Sequence, residues 1–537
     1  VLISYPNGIV DTKGFECFEQ NNIKYFYSGI IWMRNQKAGE ETIKKLANIY
    51  EKQRTIPFIE LFGSYYVVIQ EPNGKLTMFT DHSHLHCFFI GDHFLGTNFL
   101  EVIKENKARQ FDHDALCEYL EFGKVLFGKT LYKNIKLSEP RHYYLLENGN
   151  LIVKDKTIGG IDKPSSIKDV NEFFKEMAYS LSDLSVTMSL TGGYDSRMIF
   201  ANLNQHIPIK PFISGNNPKS KDIVISQKVA KAGGSFSEVI ETPKVNVTEQ
   251  YILSLFQNAQ GISLFLNNSY IRIHTFVKNR KNKGFHCYIT GAGGEMHKEI
   301  WWLADFPFYR KKSVNLNRFY EQRIHFQKEH VAFGEALEKN RQILKQRIVQ
   351  ELEKYKMPFN TQTYDSLFFQ LKGKENSINF SVMSKFLPSY APLWELELVR
   401  YSYQLPRSSQ FFNYSMRKIT TKASKNIARV PTDYGTTSSS EVLYIMRDIL
   451  FQGVDYFIRA CRMVARKYFN KNLFIGESQI TWSIEQEVRS LPLAKKSLDY
   501  CINNNFIKEG TKMEDLSFSL LGRVIQVYLL GKYTGIQ

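Results

Sequence analysis

The 537-residue chain has no run of about twenty uncharged apolar residues, the length a membrane-spanning helix needs. Its longest apolar stretch, Val442 to Ile458, is broken by Arg447, Asp448 and Asp455. It also has few cysteines. Cys17, Cys87, Cys117, Cys287, Cys461 and Cys501 lie far apart with no paired spacing, which argues against a disulfide frame or a zinc cage and for reduced thiols. The segment Val1 to Asp11 carries no basic, apolar and small-residue series of a secretion signal, so the cytoplasm is the expected compartment. Low-complexity tracts and internal repeats are missing too, which excludes disordered and solenoid architectures.

What is present suits a globular chain of two to four units. Hydrophobic residues make up 43% and aromatics 14%, enough to fill several cores. A formal charge of +17 favours acidic partners such as nucleotides, phosphates, acidic peptides or nucleic acid. The basic series Arg459, Arg462, Arg466, Lys467 and Lys471 falls on a helical pattern, where a solvated face is the plainer reading.

The pattern changes along the chain. Up to about Val153 it predicts mostly short strands (25–33, 63–70, 76–80 and 143–146) with helices over 40–53 and 112–122. A polar segment, Lys154 to Lys168, reads as a linker and places a domain boundary. Helix and strand signals then alternate: a helix over 170–184, a strand over 186–190, a helix from Ser196, a strand over 209–214 and a helix over 222–232. Such alternation predicts a parallel sheet covered by helices. Beyond Gly294 the expectation is mainly helical, with amphipathic stretches over 318–355, 393–404 and 440–468.

The most informative segment is Ser189-Leu190-Thr191-Gly192-Gly193-Tyr194-Asp195-Ser196-Arg197, where a predicted strand meets a predicted helix. Adjacent glycines let backbone amides approach an anion, and the hydroxyls of Thr191 and Ser196 and the helix's positive end add donors. Asp195 is placed to hold Mg²⁺ against phosphates.

This run resembles the S-G-G-x-D-S pyrophosphate loop of the ATP pyrophosphatase superfamily, with Thr191 in its first position. Phe212-Ile213-Ser214-Gly215, Tyr288-Ile289-Thr290-Gly291-Ala292-Gly293-Gly294-Glu295, Ala391 to Val399, Gln404-Leu405-Pro406, Tyr414 to Lys418 and Arg429-Val430-Pro431 follow in the order found in asparagine synthetases. Leu61 to Tyr66, Asp81, Tyr119 to Lys124 and Thr130-Leu131-Tyr132 resemble that family's glutaminase domain. The resemblance implies an Ntn-hydrolase-like αββα domain over 1–160, a degenerate class II glutamine amidotransferase. It also implies a Rossmann-like parallel-sheet ATP pyrophosphatase domain with a helical C-terminal part over 166–537. Nucleotide contacts are implied for Ser189, Leu190, Thr191, Gly192, Gly193, Asp195, Ser196, Ser214, Gly215, Thr290 and Gly291, and Mg²⁺ ligation for Asp195 and Glu295.

The chain departs from that pattern at the chemistry. A glutaminase of this family begins with a nucleophilic Cys, whereas Val1 stands first here and Cys17 reads as a buried structural residue, so no glutamine hydrolysis is expected. The family's catalytic Glu corresponds to Ala292, its metal-binding Asp to Glu295, and its acyl-transfer Lys falls at Thr432-Asp433. Candidate replacement cations are Lys298 and Arg197, then His297, Lys422 and Lys425. Asp195, Glu295, Lys298 and Arg197 form the expected catalytic set. Asp81-His82-Ser83-His84-Leu85-His86 would converge three imidazoles if it formed a strand, but structural or solvent-facing histidines are the simpler account. Trp301-Trp302 would stack a substrate or pack beneath the loop.

The expected activity is ATP- and Mg²⁺-dependent amide formation through an acyl-adenylate. The partners would be a carboxylate substrate and an amine donor, small molecule or peptide; a homodimer is compatible, and neither a membrane nor a nucleic acid is expected. The alternatives are an intramolecular cyclase of the lasso-peptide or β-lactam type and an inactive nucleotide-binding regulator.

Overall fold

The computed structural model describes residues 1–241, 245–266, 268–298, 315–325, 331–354, 362–469 and 484–536. Trp301, Trp302 and Lys471 lie outside them, as do the side chains of Arg459, Arg462, Arg466 and Lys467. The chain is mixed α/β, with two antiparallel sheets followed by one parallel sheet.

The first eleven strands are β1 (Leu2–Ser4), β2 (Gly8–Asp11), β3 (Glu16–Gln20), β4 (Ile23–Trp32), β5 (Phe62–Gln70), β6 (Leu76–Thr80), β7 (Phe89–Ile90), β8 (Phe94–Gly96), β9 (Lys136–Leu137), β10 (His142–Glu147) and β11 (Asn150–Asp155). They form sheets of order β2-β1-β8-β7-β9 and β11-β10-β6-β5-β4-β3. Alternation along β5 sends Tyr66 and Val68 into a core shared with Ile3, Phe88 and Leu95 of the smaller sheet. Tyr65, Val67 and Ile69 face the other way, onto Ile43, Leu46 and Tyr50 of the helix Glu40–Gln53. The helices Phe99–Glu105 and His113–Phe122 cover the outer face of the smaller sheet through Phe99, Val102, Leu116 and Leu120. The layers therefore run helix, sheet, sheet, helix.

The later strands, β12 (Val186–Ser189), β13 (Ile209–Ser214), β14 (Glu238–Ile240), β15 (Cys287–Ile289) and β16 (Ser389–Tyr390), are all parallel, in the order β14-β13-β12-β15-β16. The chain steps outward from β12 through the crossover helices Asp195–Leu203 and Lys221–Ala232, then returns to the other side of β12 for β15. A crevice for a ligand opens at the carboxyl ends of the strands where the order reverses in this way. Here that place lies between β12 and β15.

Both parts share one apolar core, in which Trp32 and Tyr65 pack with Val186, Met188, Tyr390 and Trp394. Glu395, fully buried, seals the junction. Its carboxyl accepts from Gly63 N at 2.6 Å, Tyr390 Oη at 2.7 Å and Ser83 Oγ at 2.9 Å.

Three sequence expectations are corrected here. Lys154 and Asp155 belong to β11, paired with β10, rather than to a linker, and Lys156 is buried with its Nζ donating to Thr80 O at 2.6 Å. The stretch 318–355 is not one helix: a short turn over Leu316–Ile324 is separate from the helix Glu335–Glu353, which starts after Gly334. A Cβ on Gly334 would stand 2.3 Å from Asn505 O, so the helix begins where the C-terminal part crosses it. Cys17 is exposed, because β3 is an edge strand and one of its faces has no cover.

Candidate functional site

The loop after β12 is built by local hydrogen bonds. Leu190 is buried, and its amide donates to Phe212 O at 2.8 Å, tying the strand end to β13. Ser196 Oγ accepts from Thr191 N at 3.0 Å and lies 3.1 Å from Thr191 Oγ1, folding the loop back over the helix Asp195–Leu203. Gly193 N reaches Thr191 Oγ1 at 3.4 Å, and Gly192 N reaches Asp222 Oδ1 at 3.3 Å. The helix has no side-chain cap, so its first-turn amides keep their affinity for an anion.

The other residues expected to contact a nucleotide converge on the same edge. Ser214 ends β13 and Gly215 follows it, its amide donating to Ile240 O at 3.1 Å. Thr290 follows β15, its amide donating to Tyr390 O at 3.0 Å, while Tyr288 Oη donates to Ser189 Oγ at 3.1 Å across the switch point. Gly291 lies against the helix start, where a Cβ would be 3.0 Å from Ser196 N. Gly294 is tighter still, since a Cβ there would be 2.0 Å from Asp195 Cγ. The loops after β12 and β15 thus interlock, tightly at Gly291 and with no room for a side chain at Gly294.

Asp195 lies at the centre of this contact. Its Oδ2 accepts from Lys298 Nζ at 2.7 Å, while its Oδ1 is buried with no hydrogen-bond partner. Burial raises the Asp195 pKa against the pull of Lys298, and the charges of Glu295 and Asp433 raise it further. Desolvation opposes the Lys298 charge, but Asp195 and Glu295 outweigh it and hold the ammonium's pKa above its ordinary value. Asp433 is raised by burial and then by Asp222. The loop is therefore flanked by four carboxylates, and the pair that would hold a divalent cation is Asp195, with its unsatisfied oxygen, and Glu295, whose charge reaches it. Among the described residues, no group of three or more His, Cys, Asp or Glu side chains forms a metal cage by itself.

The remaining expected cations are placed differently. Arg197 is fully buried, and its guanidinium donates to Val430 O, to Gly192 O at 3.2 Å and to Pro431 O at 3.0 Å. It clamps the 430–437 segment onto the loop rather than facing a phosphate, and desolvation lowers its pKa to about 10. His297 is buried, with Nδ1 bonded to Ser402 Oγ and Nε2 2.7 Å from Leu393 O; burial lowers it to about 4, so it is neutral. Lys422 is exposed and pairs with Asp169, and Lys425 opens the short helix Lys425–Arg429.

Two acidic residues escaped the sequence reading. Asp222 was legible only as the start of a helix, and Asp433 only as the place where a lysine was missing. Both flank Gly192, where a Cβ would meet Asp222 Oδ1 at 3.0 Å and Asp433 Cβ at 3.3 Å. Tyr194 fixes the second side of the loop: its Oη lies 2.8 Å from Thr436 Oγ1, donates to Thr437 O at 2.9 Å and accepts from Arg417 at 3.0 Å.

The histidine run is no strand. His84 has φ 57°, which breaks the alternation, and all three imidazoles are buried rather than solvent-facing. Burial lowers His82 to about 3 and His84 well below its ordinary range, while His86 Nδ1 meets Ser64 Oγ at 3.0 Å.

Compared with protein-family models and with curated proteins, the chain matches none. Among the described residues, no helix is long and apolar enough to cross a membrane.

Proposed function

We propose that the crevice between β12 and β15 binds Mg·ATP and activates a carboxylate as its adenylate for transfer to an amine. The observation that carries this reading is the buried, unpartnered Asp195 Oδ1, held between two glycine-gated loops at the strand-order switch. Thr191, Gly192, Gly193 and Ser196 bind the phosphates through amides and hydroxyls, and Asp195 and Glu295 would hold Mg²⁺, which would supply positive charge against the pyrophosphate. Ser214 and Gly215 border the nucleoside. Lys298 favours the ionised form of Asp195 against the effect of burial and places one cation beside the phosphates. The substrate carboxylate oxygen forms a bond to the α-phosphorus as pyrophosphate leaves. The amine then attacks the acyl carbon, AMP departs and a proton is released. The sheet order supports a Rossmann-like domain, and the four-layer stack supports an Ntn-hydrolase-like first part.

A nucleotide-binding regulator is the second reading. It is favoured by the fate of the cations, since Arg197 and His297 are both committed to structural bonds. ATP–pyrophosphate exchange separates the two: a ligase exchanges with its acid, whereas a regulator binds ATP and does not.

A further inference from the structure

A cavity of about 480 Å³ opens beside the loop after β15, bounded by Tyr288, Thr290 and Ala292 at one end. It runs away from the phosphate cradle into the space between the first part's helices and the helix Gln362–Ser384. Phe99, Tyr119, Phe122, Phe380, Met383 and Phe386 give it an aromatic and apolar wall. Cavities of about 300–1,000 Å³ with such walls and a few polar groups hold one small organic molecule. Aspartate or another short polar acid would fill only the mouth and leave the apolar wall facing water.

The polar groups on the wall include Lys124, Lys129, Glu375, Asn376 and Arg523, of which Arg523 donates to Leu120 O at 2.7 Å. His274, on the helix Asn268–Asn282, lines the cavity with its Nε2 buried and without a hydrogen-bond partner. An orphaned ring nitrogen of this kind favours a ligand that brings a complementary group. Asn379 is already engaged, accepting from Ser263 Oγ at 3.0 Å.

We infer that this cavity is the acyl pocket, and that the acid activated at the loop has a bulky aromatic or aliphatic body carrying one hydrogen-bonding group opposite His274. The inference rests on the adenylating reading of the neighbouring crevice. The carboxylate lies at Thr290 and Ala292, within reach of the phosphate loop, while the body fills the apolar end. Specificity arises from apolar burial, so removing methylenes weakens binding stepwise.

The test combines calorimetric binding of 4-phenylbutanoate, decanoate and aspartate with Mg·ATP–pyrophosphate exchange on the same acids. The wild type is compared with Ile262→Trp, which fills the half-buried wall, and with Ile273→Asp, which puts a charge on the exposed rim. Should Ile262→Trp fail to fold, the rim variant carries the comparison. The expected result is binding of both apolar acids, weakened at least tenfold in the variants, with Mg·ATP binding unchanged. Exchange with aspartate but no binding of the apolar acids would overturn the pocket and leave the ligase standing. Variant-sensitive binding with no exchange for any acid would support the pocket and overturn the ligase.

Discussion

Lys298 Nζ lies 2.7 Å from Asp195 Oδ2, and this ion pair joins the loop after β15 to the loop after β12. Burial makes the Asp195 carboxylate reluctant to ionise, and Lys298 offsets that cost. In Lys298→Met the Asp195 pKa rises further. The acid limb of the pH profile for Mg·ATP binding should then move to higher pH, and exchange at neutral pH should fall about a hundredfold. An unmoved acid limb would show that the pair does not govern the site.

Gly294 gives Asp195 its room. A methyl group at that position would collide with the carboxylate at 2.0 Å. Gly294→Ala should therefore cost about tenfold or more in Mg·ATP affinity, the equivalent of ~1.4 kcal/mol. Circular dichroism should show the fold retained.

Arg197 is expected to act through structure. Its guanidinium satisfies carbonyls of Gly192, Val430 and Pro431 in a buried setting. Arg197→Met leaves those acceptors unpaired and should lower stability by about 3 kcal/mol, read by denaturant unfolding. Arg197→Lys should not rescue it, because an ammonium cannot reproduce the planar fork.

Glu395 gives a stability signature against pH. Burial raises its pKa from 4.5 to about 8 against three hydrogen bonds that favour the anion, so the folded protein holds this proton where the unfolded chain has lost it. The folded state binds more protons between those two values, so the Glu395 contribution to stability falls as pH rises from 4.5 to 8, by ~5 kcal/mol in all, and levels above. Glu395→Gln mimics the neutral acid and should remove that slope relative to wild type, which paired urea titrations at several pH values would measure.

Elements with strong local period were legible in the sequence. The helix Glu40–Gln53 and the strand Ile209–Ser214 match their predicted bounds, because one apolar face marks the helix and a continuous buried run, Pro211-Phe212-Ile213, marks the strand. The helix Gln362–Ser384 went unseen because it is wedged between the two parts. Thr363, Asp365, Phe369, Lys374 and Ser381 are buried along it, which leaves no amphipathic stripe to read. The two residues of β16 were equally silent, being too short to carry an alternation. The glycine-rich loop stood out from its composition, whereas Asp222 and Asp433 reach it only through tertiary packing. Exposed Cys17 and buried His82, His84 and His86 depended on edge position and left-handed backbone, which residue type does not encode.

The most direct test is ATP–pyrophosphate exchange on the purified protein with Mg²⁺, comparing wild type with Asp195→Ala across a panel of carboxylic acids. Exchange with at least one acid, abolished in Asp195→Ala, is the predicted result. Exchange that persists without Asp195, or ATP binding with no exchange for any acid, would contradict adenylation at this crevice.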